Sequence, residues 1–390
     1  MRSLALYLHI PYCLSRCHYC DFNTYVLDGP QSREYVQALA AEIRHQGTAL
    51  DGQGRRVETI FFGGGTPSLL PPEDLCALLE TCRGAFCVAP EAEITLEANP
   101  ETVTVEVFSA LRWGGFNRVS LGVQALHAGL LQALGRPHTP ARATEAFAAI
   151  RAADFANVNL DVMFGLPGQS LRDWRRTLEG VLILAPEHLS TYGLTIEEGT
   201  LFGRLHRQGA LRLPPEGAHL AMYREALRHL PAAGYRRYEI SNFARPGFEC
   251  RHNLTYWRQG EYLGLGAGAH GYLAGVRYMN QRLPAAYISA VSRQGTAVSA
   301  RERPSPLEQA EEALMLGLRL ADGLHVAAFA ARFGLPDPPI DPAVLARLTG
   351  MGLIKAGDGL LRLTEAGLAV SDTIITDLAA SLATPSGVCA

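Results

Sequence analysis

The chain has no run approaching the roughly 18 uninterrupted apolar residues that a membrane-crossing helix requires. It also lacks a dominant charge: its 390 residues carry a net charge of −3, so no overall field draws it to nucleic acid or anionic lipid. The opening MRSLALYLHIPYC has one Arg and a short apolar run, but Pro11 interrupts the run and no small-residue cleavage site follows. It reads as a first strand rather than a signal peptide. Internal repeats and low-complexity segments are missing too. These absences place the protein in the cytoplasm, with no transmembrane segment and no nucleic-acid partner. Eight cysteines are then expected as thiols or metal ligands rather than disulfides, and the sequon Asn253-Leu254-Thr255 carries no meaning. At this length one large domain plus a smaller one is expected.

What is present is alternation. Apolar, β-branched runs at Leu4–Ile10, Val57–Gly65, Glu93–Pro100, Arg118–Gln124, Asn157–Pro167 and His188–Glu197 read as buried strands. Helical patterns such as SREYVQALAAEIRHQ and TPARATEAFAAIRAA lie between them. That order predicts an α/β fold with a parallel sheet. Six units in about 200 residues fit a partial (β/α)6 TIM-like barrel better than a complete one of about 250. We expect the barrel over 1–230 and an extension of strands and loops over 231–300, which carries RHNLTYW. After a linker at RERPSP comes a winged-helix-like α+β domain over 301–390. In it, two helical patterns precede a hairpin turning at Gly357-Asp358-Gly359, and Thr364 caps a last helix. From Asp341 on, three basic residues face five acidic ones. That balance suits packing or a protein partner, not phosphate.

The polar residues that stand out fall at the C-terminal ends of the strands, the edge where parallel α/β folds build their sites. HIPYCLSRCHYCDF follows the first strand and holds Cys13, Cys17 and Cys20. Structural zinc wants four ligands and no finger-spaced His follows, so a zinc site would need distant Cys250. An iron–sulfur cluster of four irons held by three thiolates keeps one iron open as a Lewis acid. GGGTP follows the second strand, and its glycines let backbone approach a ligand closely. Glu97, Gln124 and Asp161 sit at the next three strand ends; Arg136 suits a carboxylate. Gly266-x-Gly268-x-x-Gly271 spells a dinucleotide fingerprint, but a strand pattern follows where a helix is needed, so it reads as a structural turn. Cys76, Cys82 and Cys87 match no cluster spacing, and His9 reads as a packed or hydrogen-bonded residue.

The C-x3-C-x2-C loop, with Tyr19 before its last cysteine, resembles the signature of the radical S-adenosylmethionine (SAM) family. The resemblance implies a [4Fe-4S] cluster on Cys13, Cys17 and Cys20, with SAM chelating the open iron and cleaved reductively to a deoxyadenosyl radical. It implies SAM contacts from Tyr7, Tyr19, Gly64, Gly65, Thr66, Glu97, Gln124, Arg136 and Asp161. YLHIPYC, FFGGGTPS, LGVQ, DVMFGLPGQ, YLGLGAGAH and the C-terminal domain narrow it to the branch holding the oxygen-independent coproporphyrinogen III oxidases and the related haem chaperones. Phe22 stands where the oxidases have a fourth cysteine, and Cys13 lies almost at the start where they carry an extension, so radical decarboxylation of coproporphyrinogen III is the lesser expectation. His252, Asn253, Tyr256 and Trp257 match the chaperone group's H-N-x-x-Y-W motif. From the residues alone this run reads as a buried hydrogen-bonded cluster; with the resemblance, His252 becomes a candidate haem ligand, and Cys250 and His270 are alternatives. The implied role is a haem chaperone whose partners are haem acceptors, respiratory enzymes at the membrane among them, with a homodimer allowed.

Overall fold

The computed structural model describes residues 1–383; the last seven positions of the expected C-terminal domain, Cys389 among them, lie outside the described residues. All six expected strands form: β1 (Arg2–Ile10), β2 (Arg55–Gly64), β3 (Val88–Ala98), β4 (Arg118–Gln124), β5 (Val158–Phe164) and β6 (His188–Gly193). They pair side by side in sequence order and in parallel. Beyond β6 the sheet continues antiparallel through β7 (Asn242–Ala244) and a two-residue strand, Arg236–Arg237. Beyond β1 it continues through parallel β8 (Tyr262–Leu265) and antiparallel β9 (His270–Leu273), β10 (Val276–Asn280) and β11 (Val298–Glu302). The twelve strands do not close, so this is a partial barrel with additional β elements.

Strand alternation sorts the side chains into two environments. Leu6, Leu8, Ile60, Phe62, Leu96, Leu121, Leu160 and Leu189 belong to the main apolar core beneath the covering helices. The alternate set faces inward and is polar: Glu93, Thr95 and Glu97 on β3, Arg118 and Ser120 on β4, Asn159 and Asp161 on β5, His188 and Ser190 on β6. Burial of so many polar groups requires mutual satisfaction, and much of it is met. Asn159 Nδ2 donates to Ser120 Oγ at 2.7 Å and to Asp161 Oδ1 at 2.9 Å, while its Oδ1 lies 2.6 Å from His188 Nδ1.

The Gly-rich turn has a structural use. No helix follows it; Gly271 lies within β9. Gly266, at φ +102°, brings backbone so close that an added Cβ would stand 2.6 Å from the His9 carbonyl oxygen. Buried Glu42, on helix Gly29–Leu50, accepts from Gly266 N–H at 2.8 Å, Asn280 Nδ2 at 3.0 Å and Tyr287 Oη at 2.7 Å.

Residues after Ser305 form their own core around Leu314, Phe329, Leu348, Leu361 and Ile374. Helices Pro306–Arg319, Val326–Phe333 and Pro342–Gly350 precede the hairpin Ile354–Gly357 and Leu360–Leu363, which Leu324–His325 joins as a third strand. Asp358 and Gly359 both have positive φ, 52° and 73°, the signature of a two-residue primed turn. Thr364 caps helix Glu365–Leu368. This is the winged-helix-like arrangement, with four differences from expectation. Gly334 in αL ends one helix and Pro342 opens another, so three helices replace two. The final helical run divides into Glu365–Leu368 and Ser371–Ala379. The RERPSP linker shrinks to Arg303–Ser305, because Arg301 pairs with Tyr278 in the sheet and Ser305 begins a capping box with Glu308. RHNLTYW, expected among strands and loops, is the helix Arg251–Trp257.

Burial pushes the Glu42 carboxyl up from 4.5 to about 7, against the pull of its donors. A folded value above the unfolded one means that this contribution to stability is complete below about pH 4.5 and is lost as pH rises through about 7. The chain should therefore lose up to roughly 3 kcal/mol more than Glu42→Gln across that interval, read by denaturant unfolding at successive pH values; parallel pH profiles for the two proteins would refute the assignment.

Candidate functional site

The cysteine loop leaves β1 and returns under tight backbone control. His9 Nε2 donates to the Asn23 carbonyl at 3.0 Å, which fixes the tautomer so that Nδ1 accepts from Tyr7 Oη at 3.0 Å. Tyr35 Oη donates to the His9 carbonyl at 2.7 Å, and Asn23 Nδ2 donates to the Ala267 carbonyl at 3.0 Å. The Gly-rich turn thus buttresses the loop from behind.

Against that loop opens a cavity of about 410 Å³. Cys13, Cys17, Tyr19, Cys20, Gly64, Gly65, Thr66, Glu97, Gln124, Arg136 and Asp161 all line it, eleven of the twelve positions expected for the cluster and SAM. The seven cysteines among the described residues are free, and three of them face this space. No group of three or more described His, Cys, Asp or Glu side chains surrounds a single ion. Three thiols on one loop beside an open cavity suit separate irons of one cluster. Cys250 does not complete a zinc site. Its buried thiol faces Glu93 Oε1 at 3.5 Å, four residues and roughly 13 Å along β3 from Glu97 at the rim.

The rest of the cavity offers both signs of polarity. Arg136 donates from Nη1 to Asn99 Oδ1 at 2.7 Å and from Nη2 to Tyr19 Oη at 2.8 Å, while its buried Nε has no partner. That spare donor suits a ligand carboxylate. Glu97 accepts from Gly64 N–H at 3.0 Å, yet burial and the nearby Asp161 carboxylate push it up to about 7. Asp161, raised by burial in the same way, accepts from Ser120 Oγ at 3.0 Å. Two acids of this kind suit the hydroxyl groups of a sugar. Burial pushes the Cys13 thiol up to about 11, with the Thr66 hydrogen bond pulling the other way; iron must displace that proton to bind thiolate.

Two expected site residues stand elsewhere. Tyr7 does not line the cavity: its hydroxyl is committed to His9 and its ring stacks on Phe61. His252, the candidate haem ligand, is 1% exposed with both nitrogens engaged, Nδ1 with Thr59 Oγ1 and Nε2 with Tyr256 Oη, each at 2.8 Å. Burial pulls its pKa down to about 3, so the ring is a neutral link between β2 and the helix Arg251–Trp257 and is not placed to ligate iron. The motif's other members, Asn253, Tyr256 and Trp257, line a second cavity of about 400 Å³ that meets the first at Tyr192. Sequence reasoning missed Asn99, which ties Arg136 to Thr66; the only signal was its place two residues beyond Glu97.

Gly65 sits where an added Cβ would stand 2.5 Å from the carbonyl oxygen of Tyr12, the residue before Cys13. Gly65→Ala should cost about 1–3 kcal/mol and displace the loop, so iron retained after anaerobic reconstitution should drop below about half of the wild-type content. Full iron content in this variant would show that the close approach is dispensable.

Known proteins resemble this chain along nearly its whole length. Residues 7–181 match the radical SAM superfamily and residues 305–370 match the HemN C-terminal domain. The heme chaperone HemW of Bacillus subtilis is 38% identical over 364 residues, 93% of this chain and 96% of the relative. That of Mycobacterium tuberculosis is 39% identical over 380 residues, 97% and 95% respectively. Among solved structures, the coproporphyrinogen III oxidase HemN of Escherichia coli, a radical SAM enzyme, superposes with a TM-score of 0.84 at 25% identity, covering 98% of this chain and 91% of its own. With such identity sustained along nearly the whole length, the chain belongs to the HemW family of radical SAM proteins.

Proposed function

We propose that this chain is a [4Fe-4S]- and SAM-binding haem chaperone that takes up haem and passes it to haem-requiring acceptors. The observation that carries the reading is the family relationship, in which relatives 38–39% identical over more than nine-tenths of the chain are haem chaperones. We assign Cys13, Cys17 and Cys20 to the cluster, and Tyr19, Gly64, Gly65, Thr66, Glu97, Gln124, Arg136 and Asp161 to SAM. A cluster held there supplies an open iron position and a one-electron reductant. In this reading Arg136 Nε takes the SAM carboxylate, and Glu97 and Asp161 take its ribose. We divide the chain into the SAM-binding barrel over 1–230, the extension over 231–300 that carries the aromatic motif, and the C-terminal domain from 301.

For the cargo we assign the second cavity. Tyr256 and Trp257 offer faces to a porphyrin, and Arg319, 5.8 Å over the Trp257 ring with its Nε unpartnered, offers a donor to a propionate. His252 supports this wall through Tyr256. No described helix is long and apolar enough to cross a membrane. We place the protein in the cytoplasm, with respiratory enzymes as acceptors.

The likeness to HemN favours one alternative, oxidative decarboxylation of coproporphyrinogen III with SAM. Against it stands Phe22, 65% exposed at the position of the oxidases' fourth cysteine. Anaerobic titration of the cluster-loaded protein with haem, followed by the Soret band, should saturate near one haem per chain. Trp257→Ala should weaken binding about tenfold, a loss of about 1.4 kcal/mol, while assays with coproporphyrinogen III and SAM should give no product. Unsaturable haem uptake together with decarboxylated product would replace the chaperone reading with the enzymatic one.

A further inference from the structure

The hydroxyl of Thr66 is committed on both sides. Its Oγ1 accepts from Asn99 Nδ2 at 2.8 Å and donates toward Cys13 Sγ at 3.6 Å. Asn99 has no freedom to reverse, because its Oδ1 accepts from Arg136 Nη1 at 2.7 Å, which leaves only the amide nitrogen to face Thr66. The result is a one-way chain of donors running from guanidinium to amide to hydroxyl to sulfur. Thr66 is 3% exposed, so water competes little for the last donor. Hydrogen bonds in such a chain polarise one another, and a cation at the head strengthens them.

We propose that this donor chain tunes the reduction potential of the iron–sulfur centre by withdrawing negative charge from the Cys13 sulfur. The inference rests on the reading of Cys13 as a cluster ligand. Hydrogen bonds to ligand sulfurs are among the levers that set cluster potentials. The reduced centre carries one more negative charge than the oxidised one and gains more from a donor, so Thr66 raises the potential and its loss lowers it. Thr66 is thereby a tuning residue, and Asn99 a positioning residue that acts through it. The chain also separates two roles within GGGTP: Gly65 makes room for the cysteine loop, and Thr66, in the lining beside the SAM site, turns its hydroxyl to the Cys13 sulfur.

The test is a potentiometric titration of the reconstituted full-length protein with dithionite, read by the EPR signal of the reduced centre, after iron and sulfide analysis of each variant. Thr66→Val keeps the shape and removes the donor. At the wild-type midpoint its ratio of reduced to oxidised centre should fall about tenfold, equivalent to about 59 mV for a one-electron couple. Thr66→Ser keeps the hydroxyl and should stay within about twofold of wild type, since the donor survives. Asn99→Ala releases the hydroxyl and should shift in the same direction as Thr66→Val by a smaller amount. A fully loaded Thr66→Val protein that titrates at the wild-type midpoint overturns the proposal, as does a Thr66→Ser shift equal to that of Thr66→Val. Failure of the wild type itself to assemble an iron–sulfur centre would instead remove the cluster reading, and the proposal with it.

Discussion

The rim of this protein depends on the hydrogen bond from His9 Nε2 to the Asn23 carbonyl. A loop carrying three cysteines has little secondary structure of its own, only the short pairing of Tyr12–Cys13 with Tyr25–Val26, and so needs outside support. The bond closes the loop at its base. Tyr35, held in the core, takes the His9 carbonyl, and Gly266 packs against the same atom. Through Glu42, the turn at Gly266 is tied to helix Gly29–Leu50, strand β10 and helix Pro284–Gln294. Residues some 250 positions later in the chain thus hold the start of the site in place.

The second constraint is the polar inner face of the partial barrel. An open sheet whose inward side chains are Glu, Arg, Asn, Asp and His would be costly to bury unless those groups met one another. Ser120, Asn159, Asp161, His188 and Ser190 do so across three neighbouring strands. The network leaves Glu97 and Asp161 at its upper end facing the cavity, with their proton affinity raised by burial. The apolar outer face carries the packing energy, which frees the inner face for chemistry.

Much of this was legible in the sequence because its signals are local. Alternation of apolar residues marked each strand of the barrel, and glycine and proline marked the turns that expose the cysteine loop and GGGTP. The Asp358-Gly359 turn and the Thr364 cap could be read for the same reason. What could not be read arose from tertiary contact. The helical state of RHNLTYW follows from Glu93 accepting the backbone N–H groups of Arg251 and His252, a partner almost 160 residues distant. The same distance hid the commitment of both His252 nitrogens, and of the Tyr7 hydroxyl, to neighbours rather than to a ligand. Asn99 belongs to this class too: its importance lies in three side chains that only the fold brings together.

We propose that three thiols and the adjoining acids and guanidinium form one site for an iron–sulfur cluster with an open iron and its SAM ligand. Metal and sulfide analysis of the anaerobically reconstituted protein, followed by EPR of the reduced form with and without SAM, tests it directly. We expect about four irons and four sulfides per chain, loss of both in Cys17→Ala, and an EPR signal that changes when SAM is added. A chain that holds a single zinc without sulfide, or a reduced cluster whose signal ignores SAM, would contradict it.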